Sequence, residues 1–121
     1  MPTVLVVDDD PTMHRLVARL LDDSDYQIIG GPMDGEAAVA SCREHEPDLL
    51  VLDHMMPGLT GLEAAEVILA ERPDQRIVLF TAYVDRALFE RALGLGIAAC
   101  VPKTDVTTLP DVLAEVFSLP G

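Results

Sequence analysis

The chain has 121 residues, of which 50% are hydrophobic; this is enough for one buried core and predicts one domain over residues 1–121. Its formal charge of -13 disfavours direct contact with nucleic acid, because neutralising phosphates requires clustered Lys and Arg side chains. The longest apolar runs fall well short of the roughly 20 residues that span a bilayer, and no basic region of a secretory signal precedes the first strand, so we expect a cytoplasmic protein without membrane contact.

Short apolar runs that do not alternate with polar residues predict strands covered on both faces, as in a parallel sheet. In chain order these runs are Val4 to Val7, a weaker one near Gln27 to Gly30, Leu49 to Leu52, Ile77 to Phe80 and Ile97 to Val101. Apolar residues at helical spacing predict amphipathic helices near residues 13–21, 36–45, 62–69, 88–95 and 109–117. The predicted order is therefore a strand followed by a helix, repeated five times.

This alternation predicts a doubly wound α/β fold, a three-layer sandwich whose five-stranded parallel sheet has the flavodoxin-like order 2-1-3-4-5. Asp10 and Pro11 support the predicted start of the first helix, since Asp caps helix N-termini and Pro suits the first helical position. In such sheets the ligand site lies beyond the carboxyl ends of the strands, where the strand order reverses. Here that point lies between the first and third strands.

Polar residues stand at the carboxyl ends of four predicted strands. They are Asp8, Asp9 and Asp10 after the first strand, Asp53 after the third, Thr81 after the fourth and Lys103 after the fifth. Considered one at a time, Asp10 is predicted to be a helix N-cap, Thr81 a strand-end residue and Lys103 a solvated surface charge. Their convergence on one rim of the sheet instead indicates a functional site.

Three carboxylates at this rim, those of Asp8, Asp9 and Asp53, would repel one another and raise each other's pKa unless a cation lay among them. A small set of oxygen ligands, with water in the remaining positions, suits Mg2+. Asp53 is the predicted nucleophile, which attacks a phosphoryl group and forms an aspartyl phosphate. Lys103 and the Thr81 hydroxyl are predicted to hold the remaining phosphoryl oxygens.

The histidines and cysteines lack the spacing of a zinc or redox site. His14, His45 and His54 are dispersed along the chain and are predicted to be solvated surface side chains. Cys42 and Cys100 lie on a predicted helix and a predicted buried strand, so both are predicted to be structural thiols.

Four segments together resemble the response-regulator receiver family of two-component signalling over essentially the full length of the chain. They are LVVDDDPTMHRLV at residues 5–17, LLVLDHMMPGLTGLE at 49–63, LFTAY at 79–83 and CVPK at 100–103. The resemblance implies a phosphoacceptor receiver domain that switches a partner-binding face when a histidine kinase phosphorylates Asp53. It also implies a set of metal ligands, which are Asp8, Asp9, Asp53 and the backbone carbonyl of Met55.

In the same family, the residue matching Thr81 follows the phosphoryl group and shifts on activation, and the residue matching Lys103 pairs with that group. The implied partners are a histidine kinase or phosphotransfer protein and a downstream protein or output domain, with a phosphorylation-dependent dimer as an open alternative. We expect no output domain within this chain and no enzymatic activity beyond its own phosphotransfer and autodephosphorylation.

The sequence departs from the family at two positions that bear on signalling. Cys100 stands where the family usually has a Tyr or Phe whose rotation reports activation, so we expect Tyr83, two residues after Thr81, to carry the signal. Thr104 replaces the usual proline. The Lys103–Thr104 peptide is therefore predicted to be trans, since a cis bond before a non-proline residue costs roughly 2.5 to 4 kcal/mol.

Two alternatives stay open on the sequence. Asp8, Asp10 and Thr12 after an apolar strand also fit the D-x-D-x-T motif of haloacid-dehalogenase-like phosphohydrolases, with Asp8 as the nucleophile. That family has a further acidic pair on a late strand, and late in this chain we find only isolated acidic residues such as Asp105 and Asp111. The other alternative is a receiver that acts by protein contact without phosphorylation, against which the complete set of site residues speaks.

Overall fold

The computed structural model describes residues 1–120, and Gly121, the last residue of the predicted domain, lies outside the described residues. The strands are β1 (Thr3–Val7), β2 (Gln27–Ile29), β3 (Leu49–Leu52), β4 (Arg76–Thr81) and β5 (Ala99–Pro102). The helices are α1 (Pro11–Leu20), α2 (Gly35–His45), α3 (Gly61–Glu71), α4 (Arg86–Leu95) and α5 (Leu109–Ser118), with a 3-10 helix over Lys103–Thr108 before α5. Strands and helices alternate as predicted.

The five strands form one sheet in the order β2-β1-β3-β4-β5, and every neighbouring pair is parallel. The predicted fold class and strand order are therefore confirmed. Since β1 lies between β2 and β3, the strand order reverses there, and the crevice beyond the carboxyl ends of β1 and β3 is the expected ligand site.

Both faces of the sheet are buried, which explains why the strand sequences do not alternate between apolar and polar residues. In β3, Leu50 and Leu52 pack in the layer with α2, α3 and α4. Leu49 and Val51 point the opposite way, into the layer with α1 and α5. Successive side chains of a strand point to opposite faces of the sheet, so a solvated face would expose every second apolar side chain of β3 to water. Burial on both faces avoids this exposure.

Two helix starts shape the loops at the carboxyl rim of the sheet. The Asp10 side chain accepts a hydrogen bond from the Thr12 backbone N–H at 2.9 Å, and Pro11 is the first residue of α1, as predicted. At α3, Thr60 and Glu63 form a capping box in which each side chain accepts a hydrogen bond from the other residue's backbone N–H. Within residues 1–120, no helix has the length and apolar character needed to cross a membrane.

The fifth strand begins later than predicted. The apolar run suggests a strand from Ile97, whereas β5 begins at Ala99. Gly96 ends α4 in the left-handed conformation, with φ of 99°, and the Ile97 backbone N–H donates back to the Ala92 carbonyl at 3.0 Å. Ile97 therefore completes the helix C-terminus, and its buried side chain contributes to the core rather than to the strand ladder.

The remaining local predictions have mixed outcomes. No peptide bond among residues 1–120 is cis, so the predicted trans bond between Lys103 and Thr104 is confirmed. Cys42 is buried, and burial raises the pKa of its thiol to about 11, consistent with a structural thiol. Cys100 is only partly buried, although burial raises the pKa of its thiol as well.

Candidate functional site

The carboxyl rim of the sheet gathers the residues that the sequence predicts for the site. Asp8 and Asp53 follow β1 and β3 directly, Thr81 ends β4, and Lys103 follows β5. Asp8, Asp53 and Thr81 are buried, with exposed fractions of 2%, 4% and 1%, whereas Asp9 is exposed. Polar side chains this deeply buried at a strand end are costly unless they are paired, so the two aspartates require partners within the site.

The three predicted metal ligands on this rim lie together. One carboxylate oxygen from each of Asp8, Asp9 and Asp53 lies within 4.8 Å of the other two. These are hard oxygen ligands, few in number, and Asp9 faces solvent, which leaves room for bound water. The cluster therefore fits Mg2+, which typically binds through a few carboxylates and keeps several waters.

Lys103 lies between two of these carboxylates. Its Nζ is 2.8 Å from Asp8 Oδ2 and 3.3 Å from Asp53 Oδ2. Burial raises the pKa of Asp8, and the Lys103 hydrogen bond only partly opposes this rise. Burial alone would lower the pKa of Lys103, but its hydrogen bond to Asp8 and the charges of both carboxylates outweigh burial and raise that pKa. Lys103 is thus a fixed cation at neutral pH.

Both carboxylate oxygens of Asp53 have donors that orient them. Oδ1 accepts a hydrogen bond from the His54 backbone N–H at 2.8 Å, and Oδ2 accepts one from Lys103 Nζ at 3.3 Å. The Asp53 backbone N–H donates to the Val7 carbonyl at 3.0 Å, which fixes the residue against the end of β1. A carboxylate with a donor on each oxygen has a fixed orientation in the site.

The acidic loop, which is Asp8, Asp9 and Asp10 between β1 and α1, is held by side-chain hydrogen bonds of its own. Asp8 Oδ1 accepts a hydrogen bond from the Asp10 backbone N–H at 2.9 Å, while the Asp10 side chain caps α1. Asp10 is therefore not a member of the carboxylate cluster, as its predicted role as an N-cap implies. This arrangement gives no support to the phosphohydrolase alternative, in which Asp10 would serve the same reaction centre as Asp8.

Two histidines contradict the prediction that all three are solvated. His14 is half-buried, and its Nε2 lies 2.8 Å from the Asp8 carbonyl oxygen. His54 is also half-buried, its Nδ1 accepts a hydrogen bond from the Leu62 backbone N–H at 3.4 Å, and burial together with the charge of Arg91 lowers its pKa. His45 is exposed as predicted.

A sequence signal for His14 did exist. His14 lies three residues before Val17, which is fully buried, and residues three apart share one face of a helix. This spacing places His14 at the edge of the buried stripe of α1, near the start of the helix. For His54 there is no comparable signal, because its contacts depend on the path of the loop between β3 and α3.

An open cavity of about 370 Å³ adjoins the cluster on the side of α4. Met55, Thr81 and Tyr83 are among its lining residues. The side chains of Met55 and Tyr83 are exposed, with fractions of 68% and 74%. Thr81, by contrast, is buried at the end of β4.

Replacing Asp8 by asparagine is expected to stabilise the metal-free protein at neutral pH by about 1 kcal/mol. The folded-state pKa of Asp8 is raised above its ordinary value of 3.8, so ionisation disfavours the folded state. The stability that Asp8 contributes is present at low pH and is lost as the pH rises through the folded-state pKa. The asparagine side chain would keep an acceptor for the Asp10 N–H, and Lys103 would keep Asp53 as a partner.

The measurement is urea denaturation of wild type and Asp8→Asn in chelator at neutral pH and again near pH 4. We expect the gain at neutral pH to shrink in acid, because protonation of wild-type Asp8 there removes the buried charge. Asp9→Asn is the matched control, because that carboxylate is exposed and little change is expected. If Asp8→Asn is no more stable than wild type at neutral pH, the conclusion that the ionised Asp8 carboxylate destabilises the folded state is wrong.

Comparison with known proteins assigns the class. Residues 4–114 match the response regulator receiver domain family, and the chain belongs to this family. It is 36% identical to the transcriptional regulatory protein PdtaR of Mycobacterium tuberculosis over 100 residues, which cover 83% of this chain and 48% of that relative. The chain thus spans about half the length of that relative.

Solved structures show the same fold. The response regulator domain of Thermotoga maritima CheB is 27% identical, with a TM-score of 0.86 over 97% of this chain and 94% of that one. A chain of the CheX-CheY-BeF3-Mg+2 complex from Borrelia burgdorferi is 24% identical, with a TM-score of 0.91 over 98% of this chain and 90% of that one. The resemblance inferred from the four sequence segments is therefore confirmed.

Proposed function

We propose that this receiver domain is a phosphoacceptor switch in which Asp53 takes up a phosphoryl group in a Mg2+-dependent reaction. The observation that carries the proposal is the orientation of the buried Asp53 carboxylate by His54 N–H and Lys103, beside two further carboxylates. Membership of the receiver family supports the same role, because phosphorylation is general to that family.

In the proposed reaction an Asp53 carboxylate oxygen attacks phosphorus, a P–O bond to Asp53 forms, and the bond to the donor's leaving group breaks. Asp8, Asp9, Asp53 and the Met55 backbone carbonyl would hold Mg2+, which offsets charge on the phosphoryl oxygens when bound. Lys103 lies 3.3 Å from Asp53 Oδ2 and would pair with one phosphoryl oxygen. The Thr81 hydroxyl would donate a hydrogen bond to another.

The proposed partners follow from this chemistry. The phosphoryl donor is a histidine kinase or a phosphotransfer protein, and the recipient of the signal is a downstream protein or output domain, or a second copy of the chain. We propose no catalysis beyond the chain's own phosphotransfer and autodephosphorylation, and a cytoplasmic location. The charge of -13 makes nucleic acid an unfavourable direct partner.

The test is mass spectrometry of the protein after incubation with Mg2+ and a small phosphodonor, with borohydride trapping to map the labelled carboxylate. We expect one label, on Asp53, that depends on Mg2+. Label on another aspartate, or equal labelling in chelator, would contradict the proposal. A protein that acts by contact alone would take up no label at all.

Asp9→Ala is expected to weaken Mg2+ binding by about a hundredfold, because removing one carboxylate from so small a ligand set leaves the ion mainly hydrated. The measurement is a Mg2+ titration followed by amide chemical shifts. Asp10→Ser is the matched control, since it removes a neighbouring carboxylate but keeps a helix N-cap. Unchanged affinity in Asp9→Ala would refute the assignment of Asp9 as a ligand.

We propose Tyr83 rather than Cys100 as the residue that relays activation to the face formed by α4, β5 and α5. Cys100 packs partly against the core and is too small to swing outward, whereas the exposed Tyr83 lies two residues from Thr81. When the Thr81 hydroxyl moves toward the phosphoryl group, the following loop must move with it. A shift in population requires that the two states differ in their free energy of interaction with the phosphoryl group, and the hydrogen bond from Thr81 supplies that difference.

With a phosphoryl mimic added, we expect chemical-shift changes on that face to be lost in Thr81→Ala and Tyr83→Ala and retained in Cys100→Ala. The wild type measured with the mimic and in chelator sets the two reference states. A silent Cys100→Ala variant beside a normally responding Tyr83→Ala variant would overturn the relay model.

A further inference from the structure

We propose that His14 is a positioning residue for the metal site: its imidazole holds the peptide unit between Asp8 and Asp9, and so sets the direction of both carboxylates. This inference rests on the proposed function, since it assumes that these carboxylates bind Mg2+. His14 itself does not touch the ion or the phosphoryl group.

The geometry starts with one hydrogen bond. His14 Nε2 lies 2.8 Å from the backbone carbonyl oxygen of Asp8. A carbonyl oxygen only accepts hydrogen bonds, so Nε2 carries the proton and donates it. The carbonyl belongs to the planar peptide that joins Asp8 to Asp9, and fixing the oxygen fixes the rotation of that plane. Both ligand side chains leave the backbone at the two ends of this plane.

The other bonds of the loop do not replace this restraint. The Asp8 backbone N–H donates to the Pro32 carbonyl at a long distance of 3.4 Å, and it belongs to the preceding peptide unit. The Asp8 Oδ1 bond to the Asp10 N–H and the Asp10 cap on α1 hold the end of the loop, but neither of them reaches the carbonyl between Asp8 and Asp9. The His14 bond is different, because it connects that carbonyl directly to a side chain of α1.

The opposite edge of the imidazole is closely fitted as well. His14 Nδ1 is buried, and a Cβ atom built on Gly30 would lie 3.3 Å from it. The φ of Gly30 is not positive, so the backbone there does not itself require glycine. A methyl group at residue 30 would lie tightly against Nδ1, so the ring would have to shift by a few tenths of an ångström, while Nε2 of the same ring holds the Asp8 carbonyl.

The experiment compares Mg2+ affinity, followed by amide chemical shifts, in three variants and two controls. His14→Phe keeps a ring but loses the donor, His14→Gln keeps an N–H donor, and Gly30→Ala displaces the ring without removing it. His45→Phe and Gly94→Ala are the controls, since His45 is exposed and a Cβ on Gly94 meets no atom within 4 Å.

We expect His14→Phe to weaken Mg2+ binding about tenfold, as is typical when a group that orients a metal ligand is lost. His14→Gln should recover most of the affinity, Gly30→Ala should lose part of it, and both controls should bind as the wild type does. In the metal-free protein, nitrogen-15 spectra of the imidazole should show His14 as the Nε2–H tautomer.

Two outcomes would overturn the inference. The first is wild-type Mg2+ affinity in both single variants, a folded His14→Phe and Gly30→Ala. The second is an Nδ1–H tautomer of His14 in the metal-free wild type. If His14→Phe fails to fold, Gly30→Ala and the tautomer measurement still decide. Failure of the proposed function is distinguishable, because then the wild type and the two controls would not bind Mg2+ either.

Discussion

Asp53→Asn is expected to abolish labelling by a small phosphodonor completely. An amide oxygen is a poor nucleophile, and the asparagine would still accept the His54 N–H, so the geometry of the site would survive while its chemistry is lost. Lys103 would keep Asp8 as an ionic partner. The protein should therefore remain folded, and the loss can be assigned to the missing nucleophile.

Two further variants sharpen this test, with the rate of label uptake measured by mass spectrometry. Asp8→Asn should slow labelling but leave the label on Asp53, since Asp8 is a ligand in the proposed reaction. Asp10→Asn should label normally, because Asn caps a helix as well as Asp does. If label persisted in Asp53→Asn and vanished in Asp8→Asn, Asp8 would be the nucleophile and the phosphohydrolase chemistry would replace the proposed one.

Gly61→Ala is expected to destabilise the protein by about 3 kcal/mol. Gly61 is the first residue of α3, and its backbone N–H donates to the His54 carbonyl at 2.8 Å. A Cβ atom there would overlap the backbone carbonyl oxygen of Asp53 and lie 2.7 Å from the His54 Cα. Both obstacles are backbone atoms, so relief requires that α3 or the end of β3 move.

The measurement is urea denaturation, with labelling of Asp53 as a second readout, since the displaced backbone carries the phosphoacceptor. Gly94→Ala is the matched control within α4, where a methyl group meets no neighbour and alanine is expected to stabilise the helix by up to about 1 kcal/mol. Equal stability of Gly61→Ala and wild type would show that the loop between β3 and α3 adapts freely.

Much of the fold follows from local patterns. A strand such as β3, apolar at all four positions, predicts burial on both faces, and both faces are indeed covered by helices. The predicted start of β5 was wrong, because Ile97 and Ala98, the apolar residues before β5, have the sequence pattern of a strand. Ile97 instead closes the end of α4, and Gly96 in the left-handed conformation decides this.

The convergence of the site also follows from the sequence, because the carboxyl ends of parallel strands share one edge of the sheet. That rule alone brings Asp8, Asp53 and Thr81 together, with Lys103 one strand further, as the structure has them. Strand order then places the two buried carboxylates directly after neighbouring strands, β1 and β3.

Only the tertiary structure reveals the contacts that orient these residues. The bond from His14 to the Asp8 carbonyl, the fit of that ring against Gly30 and the close approach of Gly61 to Asp53 join segments through the paths of loops. Periodicity describes which side of a helix or strand a residue faces. It carries no information about distances between side chains of different elements, which are set when the elements pack against one another at close contact.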